Sequence, residues 1–144
     1  MNITREQLLL YAVTDRSWLK GETLYEQVEK ALKGGVTLVQ LREKELSEPE
    51  FEAEGRSLLE LCHRYRVPLI INDNVELAER IGADGVHVGQ SDMELTRARK
   101  ILGTDKIIGV TAKTIEQAQA AEKAGAALKE AGAKRVVPLK VSGP

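Results

Sequence analysis

One cysteine, Cys62, one tryptophan, one phenylalanine and three tyrosines are spread over 144 residues. A lone thiol excludes an internal disulfide, and no Cys/His array has the spacing of a zinc site. So few aromatics exclude a stacking platform for single-stranded nucleic acid. An excess of either charge is also missing, since 21 Lys and Arg stand against 22 Asp and Glu for a formal net charge of −1. That balance leaves no electrostatic footprint for nucleic acid or for an anionic membrane surface. No apolar run reaches the length of a bilayer span, and no signal-peptide pattern is present. The expectation is a soluble, cytoplasmic protein whose partners are small molecules, with neither nucleic acid nor membrane among them.

What is present is a rhythm. Short runs rich in β-branched and aliphatic residues occur at Leu8 to Thr14, Val36 to Leu41, Pro68 to Ile71, Gly85 to Val88 and Lys106 to Val110. Between them lie stretches with helical spacing, marked by Leu24, Val28, Ala31 and Leu32, then Leu58, Leu59, Leu61 and Cys62. Leu77, Ala78 and Ile81 follow, then Leu95, Ala98 and Leu102. Nearly continuous apolar strands alternating with amphipathic helices predict a parallel sheet. Thr23…Glu26, Ser47…Glu50, Ser91…Glu94 and Thr114…Gln117 each have capping-box spacing, worth about 1 kcal/mol per helix start. Gly34-Gly35, Gly82 and Gly103 mark helix ends, where a left-handed residue closes the last turn. On pattern alone, five strands and a candidate sixth leave two architectures open, a short doubly wound sheet and part of a (β/α)₈ barrel.

Three polar clusters follow apolar runs: Gln40-Leu41-Arg42-Glu43-Lys44, Asn72-Asp73-Asn74 and Gly89-Gln90-Ser91-Asp92. In a parallel sheet, strand ends with the same polarity gather at one rim, the place where barrel enzymes build their sites. Asp73 and Asp92 suit magnesium, which takes one or two carboxylates and completes its shell with water and phosphate oxygens. Asp is equally at home as a helix N-cap. Arg42 and Lys44 suit a diphosphate, while Gln40 offers an amide to a heterocycle; a solvated charged loop explains the same residues. Thr111 ends the fifth strand at a helix start, a ready anion site or a simple cap. His87 reads as a packed, hydrogen-bonded histidine. His63 and Cys62 lie on a helix with no partner nearby in sequence.

These residues resemble the thiamine-phosphate synthase family. The resemblance is carried by Leu10 to Asp15 (LYAVTD), Val39 to Lys44 (VQLREK), Ile70 to Asn74 (IINDN), Gly82 to Asp92 (GADGVHVGQSD) and Ile108 to Thr111 (IGVT), in family order across residues 1 to about 126. It implies a (β/α)₈ TIM-barrel fold and a transferase that joins hydroxymethylpyrimidine diphosphate to thiazole phosphate, giving thiamine phosphate and pyrophosphate. It implies dissociative chemistry, in which pyrophosphate leaves before the thiazole nitrogen captures a pyrimidine-methyl cation. It also implies that Gln40, Leu41, Arg42, Glu43, Lys44, Asn72 and Thr111 line the pyrimidine-diphosphate site. Asp73 and Asp92 would hold Mg²⁺. No residue is singled out as catalytic.

After Ala126 the family pattern breaks. Residues 127–144 carry Lys129, Lys134, Arg135 and Lys140 against the single acid Glu130. The stretch resembles a segment of malonyl-CoA:acyl-carrier-protein transacylase; a fused, rearranged or engineered gene would explain the join, as would chance similarity at a helix–Gly-Ala–strand boundary with the local grammar of Ile81 to Val88. The expectation is two parts: a partial barrel over 1–126, truncated after about five βα units, and a non-family tail over 127–144. The tail would extend a helix through Ala126-Ala127-Leu128 and add a sixth strand over Val136 to Val141, with Pro138 favouring an edge. Open strand edges would invite a homo-oligomer, and the truncation would impair turnover. Two other readings stand beside this one. One is a thiazole tautomerase-like protein, which the intact QLREK block and the two aspartates oppose. The other is an inactive half-barrel or chimeric fragment.

Overall fold

Side chains alternate from face to face along a strand, so a sheet covered by helices on one side only buries every second residue against them. The computed structural model of this protein describes residues 3, 4, 6–89, 92–111, 114–117, 119–121 and 123. In it, β1 (Tyr11–Val13), α1 (Leu24–Lys33), β2 (Leu38–Leu41), α2 (Glu48–Arg64), β3 (Leu69–Asn72), α3 (Val75–Ile81), β4 (Gly85–Val88), α4 (Asp92–Leu102) and β5 (Ile107–Val110) follow one another along the chain. A single 3-10 turn over Arg16–Trp18 sits between β1 and α1. All pairings are parallel, and the strand order is β1-β2-β3-β4-β5.

That order settles the choice that sequence pattern left open. A doubly wound sheet reverses its strand order and places helices on both faces. Here the order never reverses, and α1 to α4 all contribute to one core against one face. Val39, Leu41, Leu69, Ile71, Val86 and Val88 meet Leu24, Val28, Phe51, Leu58, Leu61, Val75, Ala78 and Ala98 there. This is the winding of a TIM-barrel wall. The other face carries Leu38, Ile70 and Ile107 near the strand starts, with Ile3, Leu8 and Tyr11 packed on them. Among the described residues β1 and β5 are the sheet edges, and Val13 on β1 is half exposed.

The helix signals match in detail. Thr23 and Ser47 accept the backbone N–H of Glu26 and Glu50, and Thr114 accepts that of Gln117 at 3.1 Å. Gly82 caps α3 with φ 73°. At the end of α1, Gly34 keeps a right-handed φ of −81° and the left-handed residue is Gly35. The Ser91 cap, the helix through Ala126-Ala127-Leu128 and the strand over Val136 to Val141 lie outside the described residues. Strand ends shift slightly, to Leu38 in β2, Leu69 and Asn72 in β3 and Ile107 in β5, and most in β1, where pairing starts at Tyr11 rather than Leu8 and stops at Val13. The run Leu8-Leu9-Leu10 looks like a buried strand, but Leu9 is 77% exposed and residues 6–8 form a turn. No helix among the described residues is long and apolar enough to cross a membrane.

Two glycines show where packing is tight. A Cβ on Gly85 would strike the backbone carbonyl of Ile107 on the neighbouring strand, whereas one on Gly55 would crowd the tip of Ile81 at 2.9 Å and touch Ile71 and Leu41 at an ordinary 3.9 Å. Backbone cannot step aside without parting β4 from β5; a side-chain tip can. Gly85→Ala should therefore lose about 1–3 kcal/mol in urea unfolding. Gly55→Ala, which gains helix propensity in α2, should stay within about 1 kcal/mol of the parent. Equal losses from both would contradict this account.

Candidate functional site

The face of the sheet turned away from the helices becomes polar toward the strand ends. Gln40 on β2, Asn72 on β3 and His87 on β4 all project from it, because they alternate with the helix-facing residues Val39 and Leu41, Ile71, and Val86 and Val88. Register explains who meets whom. Gln40 pairs with Ile70, so Asn72 lies one diagonal step beyond it. Its Nδ2 donates to Gln40 Oε1 at 3.0 Å, and Gln40 Nε2 donates to the hydroxyl of Tyr11 at 2.8 Å. Gln40 is only 5% exposed, and its amide nitrogen and oxygen each find one partner within the protein. Burial pushes the Tyr11 phenol above its usual value, against the opposing pull of the bond from Gln40.

Farther along, His87 Nε2 sits 2.8 Å from Thr111 Oγ1. His87 is half-buried, which lowers its pKa; the Asp73 carboxylate pulls the other way. Its Nδ1 is buried and has no hydrogen-bond partner. Gly109 lies beneath that nitrogen, where an added Cβ would come within 2.5 Å of it. The ring thus occupies space that a glycine keeps open.

Asp73 follows β3 in an uncommon conformation. Its φ is 65°, and the N–H of Asn74 donates to the carbonyl of Asn72 at 2.8 Å across it. An i to i+2 bond with positive φ at the centre is a γ-turn of the strained kind. The Asp73 N–H is tied to the carbonyl of His87 at 2.8 Å, and the carboxylate side chain is exposed. The cap of α3 is Asn74, which accepts the Leu77 N–H. Capping therefore does not explain Asp73, and strain of this kind collects at functional positions. Asp92 opens α4 directly after β4; its side chain lies outside the described residues, as do Gln90 and Ser91. Among the described residues no group of three or more His, Cys, Asp or Glu gathers as a metal site. A pair of carboxylates completed by substrate oxygens would not form such a group.

The basic part of the VQLREK block goes elsewhere. Extended backbone stops at Leu41, so the alternation of Gln40, Arg42 and Lys44 on one face is not held by a strand. Leu41 itself is fully buried on the helix side. Thr14 clamps the two chain segments: its N–H donates to the carbonyl of Gln40 at 3.0 Å, and its Oγ1 accepts the Arg42 N–H at 2.9 Å. The clamp sets the loop after β1 beside the loop after β2. Between them lies a cleft of about 410 Å³ lined by Asp15, Arg16, Ser17, Arg42, Glu43 and Lys44, with Thr14 and Glu45. Asp15 accepts from both the N–H and the hydroxyl of Ser17, and these bonds, with Arg42 nearby, hold its carboxyl below the usual range. The predicted residues thus divide. Gln40, Asn72 and Thr111 share the open sheet face, while Arg42, Glu43 and Lys44 line the cleft beside it.

Three participants carried no clear signal in sequence. Tyr11 reads as one more strand residue until register sets its hydroxyl against Gln40. Arg16 donates to Glu43 at 2.8 Å and also pairs with Glu54. Glu54 comes from the middle of α2, where it passes for a solvated helix residue. Instead burial, with Glu43 alongside, pushes it up to about 8, although Arg16 opposes the shift. His63, with no partner near in sequence, has one in space: its Nε2 lies 2.8 Å from buried Asp84, which also accepts the Leu69 N–H at 2.8 Å. That pair sits where β3 and β4 begin, at the end of the sheet opposite the rim.

A family model described as thiamine monophosphate synthase matches residues 10–139, running past Ala126. The thiamine-phosphate synthase of Clostridium acetobutylicum is 55% identical over 124 residues, which are 86% of this chain and 59% of that protein. That of Caldanaerobacter subterraneus is 48% identical over 136 residues, 94% of this chain and 64% of the relative. Among solved structures, thiamine phosphate pyrophosphorylase from Pyrococcus furiosus superposes with a TM-score of 0.75 at 36% identity. It covers 84% of this chain and 58% of that one. The chain thus spans about three-fifths of the length of these relatives.

The raised Glu54 gives a test with a definite sign. Folded, it stays protonated up to about 8; unfolded, it titrates near 4.5. The folded state therefore holds the extra proton between these limits, and its contribution to stability is present in acid and lost as pH rises through about 8. Glu54→Gln, which cannot ionise, should resist urea better than the parent at about pH 9, and the advantage should shrink toward about pH 5. An advantage that does not change with pH would refute the assignment.

Proposed function

We propose that this chain, which belongs to the thiamine monophosphate synthase family, binds hydroxymethylpyrimidine diphosphate with Mg²⁺ and serves the transfer of the pyrimidine-methyl group to thiazole phosphate. One observation carries the reading: Gln40 and Asn72, 32 residues apart, bring their amides within 3.0 Å on the open face of the sheet, beside a cleft that holds Arg42 and Lys44. An amide pair offers donor and acceptor to an aminopyrimidine ring, and neighbouring cations offer charge to a diphosphate.

Each group then has a task. Gln40 and Asn72 bind the heterocycle edge and orient it. Arg42 as a fork and Lys44 as a point charge draw negative charge toward the rim as pyrophosphate departs, favouring dissociation over the bound ground state. The Thr111 hydroxyl, at the end of β5, contributes hydrogen bonding to the diphosphate. Hard carboxylate oxygens at Asp73 and Asp92 are the donor set that magnesium prefers. The ion would be held by these two residues and would neutralise charge on the leaving diphosphate. The strained turn supports the part assigned to Asp73, because nothing in helix capping requires it.

Titration calorimetry with hydroxymethylpyrimidine diphosphate tests the reading directly. Heat of binding should appear with magnesium and fall away under EDTA; no heat under either condition would dismiss it. Asp73 adds a stricter check. Asp73→Gly and Asp73→Ala should both lose the magnesium dependence, yet Asp73→Gly should be more stable by about 1 kcal/mol, because glycine accepts a positive φ that alanine does not. Equal stability of the two would remove the strain argument.

A further inference from the structure

Gln40 has both ends of its carboxamide engaged: Nε2 toward Tyr11 at 2.8 Å and Oε1 toward Asn72 at 3.0 Å. Donors run in one direction, from Asn72 to Gln40 to Tyr11, across three adjacent strands. A primary amide has two N–H donors and two acceptor sites on its oxygen. After these two bonds Gln40 retains one N–H donor and one acceptor site on the same planar group.

We infer that Tyr11 is a positioning residue, whose hydroxyl pins the buried Gln40 carboxamide so that this spare donor and acceptor meet an aminopyrimidine. The inference rests on the pyrimidine-diphosphate reading above for its ligand, but the pinning itself is a property of the protein alone. Three features of the fold support it. The ring of Tyr11 is packed on Leu38, Ile70 and Ile107, so its hydroxyl has a fixed base. Register sets Tyr11 opposite Leu38, two residues before Gln40, a diagonal that a phenol can span. Burial leaves Gln40 Nε2 no substitute in bulk water. Without the hydroxyl, one end of the amide loses its partner, and rotation about the terminal side-chain bond is restrained only by Asn72.

Discrimination between ligands follows from the pinning. A fixed donor and acceptor reward a ring that presents a complementary amino group and ring nitrogen, and reject one that lacks the amino group. A mobile amide rewards both about equally.

The test uses Tyr11→Phe, which keeps the ring packed on its three neighbours and removes only the oxygen. The control is Tyr25→Phe, since the Tyr25 hydroxyl accepts from Arg64 at 2.6 Å on the helix side, away from the open face. First, the side-chain amide protons of Gln40 are followed by ¹⁵N NMR without ligand, assigned by their disappearance in Gln40→Glu. The parent and Tyr25→Phe should show a widely split pair, and Tyr11→Phe a pair collapsed toward solvent-exposed values. Second, calorimetry with magnesium compares hydroxymethylpyrimidine diphosphate with its analogue lacking the ring amino group. Tyr11→Phe should weaken the first by about tenfold and the second by less than about twofold, so that discrimination narrows. Unchanged Gln40 resonances in Tyr11→Phe would overturn the positioning role whatever the ligand does. Equal weakening of both ligands would overturn its part in specificity. Shifted resonances in a chain that binds neither ligand would uphold the pinning and defeat the proposed function instead.

Discussion

Parallel pairing in a fixed register turns residues from distant parts of the chain into neighbours. Tyr11, Gln40, Asn72 and His87 share one face because each strand alternates, and Gln40, Asn72 and His87 lie toward one end because all strands point the same way. A slip of one residue in any pairing would send an amide into the helix-side core and an aliphatic side chain onto the open face. The apolar core against the four helices therefore does more than stabilise the sheet. It penalises every register but this one, and the polar ladder inherits its alignment.

The elements were legible in the sequence wherever a local cause forms them. Thr23, Ser47 and Thr114 cap because a hydroxyl reaches an N–H three residues on, a relation contained within four residues. The strands that begin near Val36, Pro68, Gly85 and Lys106 are readable because β-branched runs bounded by glycine or polar residues have few other uses. Leu8-Leu9-Leu10 misled because hydrophobicity marks what can be buried, while burial itself depends on what the rest of the chain brings near. The end of α2 had no glycine to announce it; Arg66 takes the left-handed position with φ 58°.

Legibility of the site follows the same line. Gln40, Asn72 and Asp73 stood out as polar residues ending apolar runs, which is a local contrast. The bond from Gln40 to Tyr11 was out of reach, since it depends on how two strands line up across 29 residues. The same holds for the pairing of Arg16 with Glu43 and Glu54, which joins a loop, a strand end and the middle of a helix. Asp73 is instructive because its residue type suggested a cap and its backbone does not permit one. The neighbouring Asn74 takes that task and leaves the aspartate to the rim.

The two ends of the sheet carry different kinds of polar chemistry. Where the strands finish, amides, a strained carboxylate and a half-buried imidazole face outward. Where β3 and β4 begin, buried Asp84 is held by two protein partners on its Oδ2, His63 and the Leu69 amide. This polarity separates the candidate site from a foundation at the other end of the sheet. An engineer seeking a hardier scaffold has the foundation available for redesign, because reinforcement there leaves the mouth of the sheet as it was.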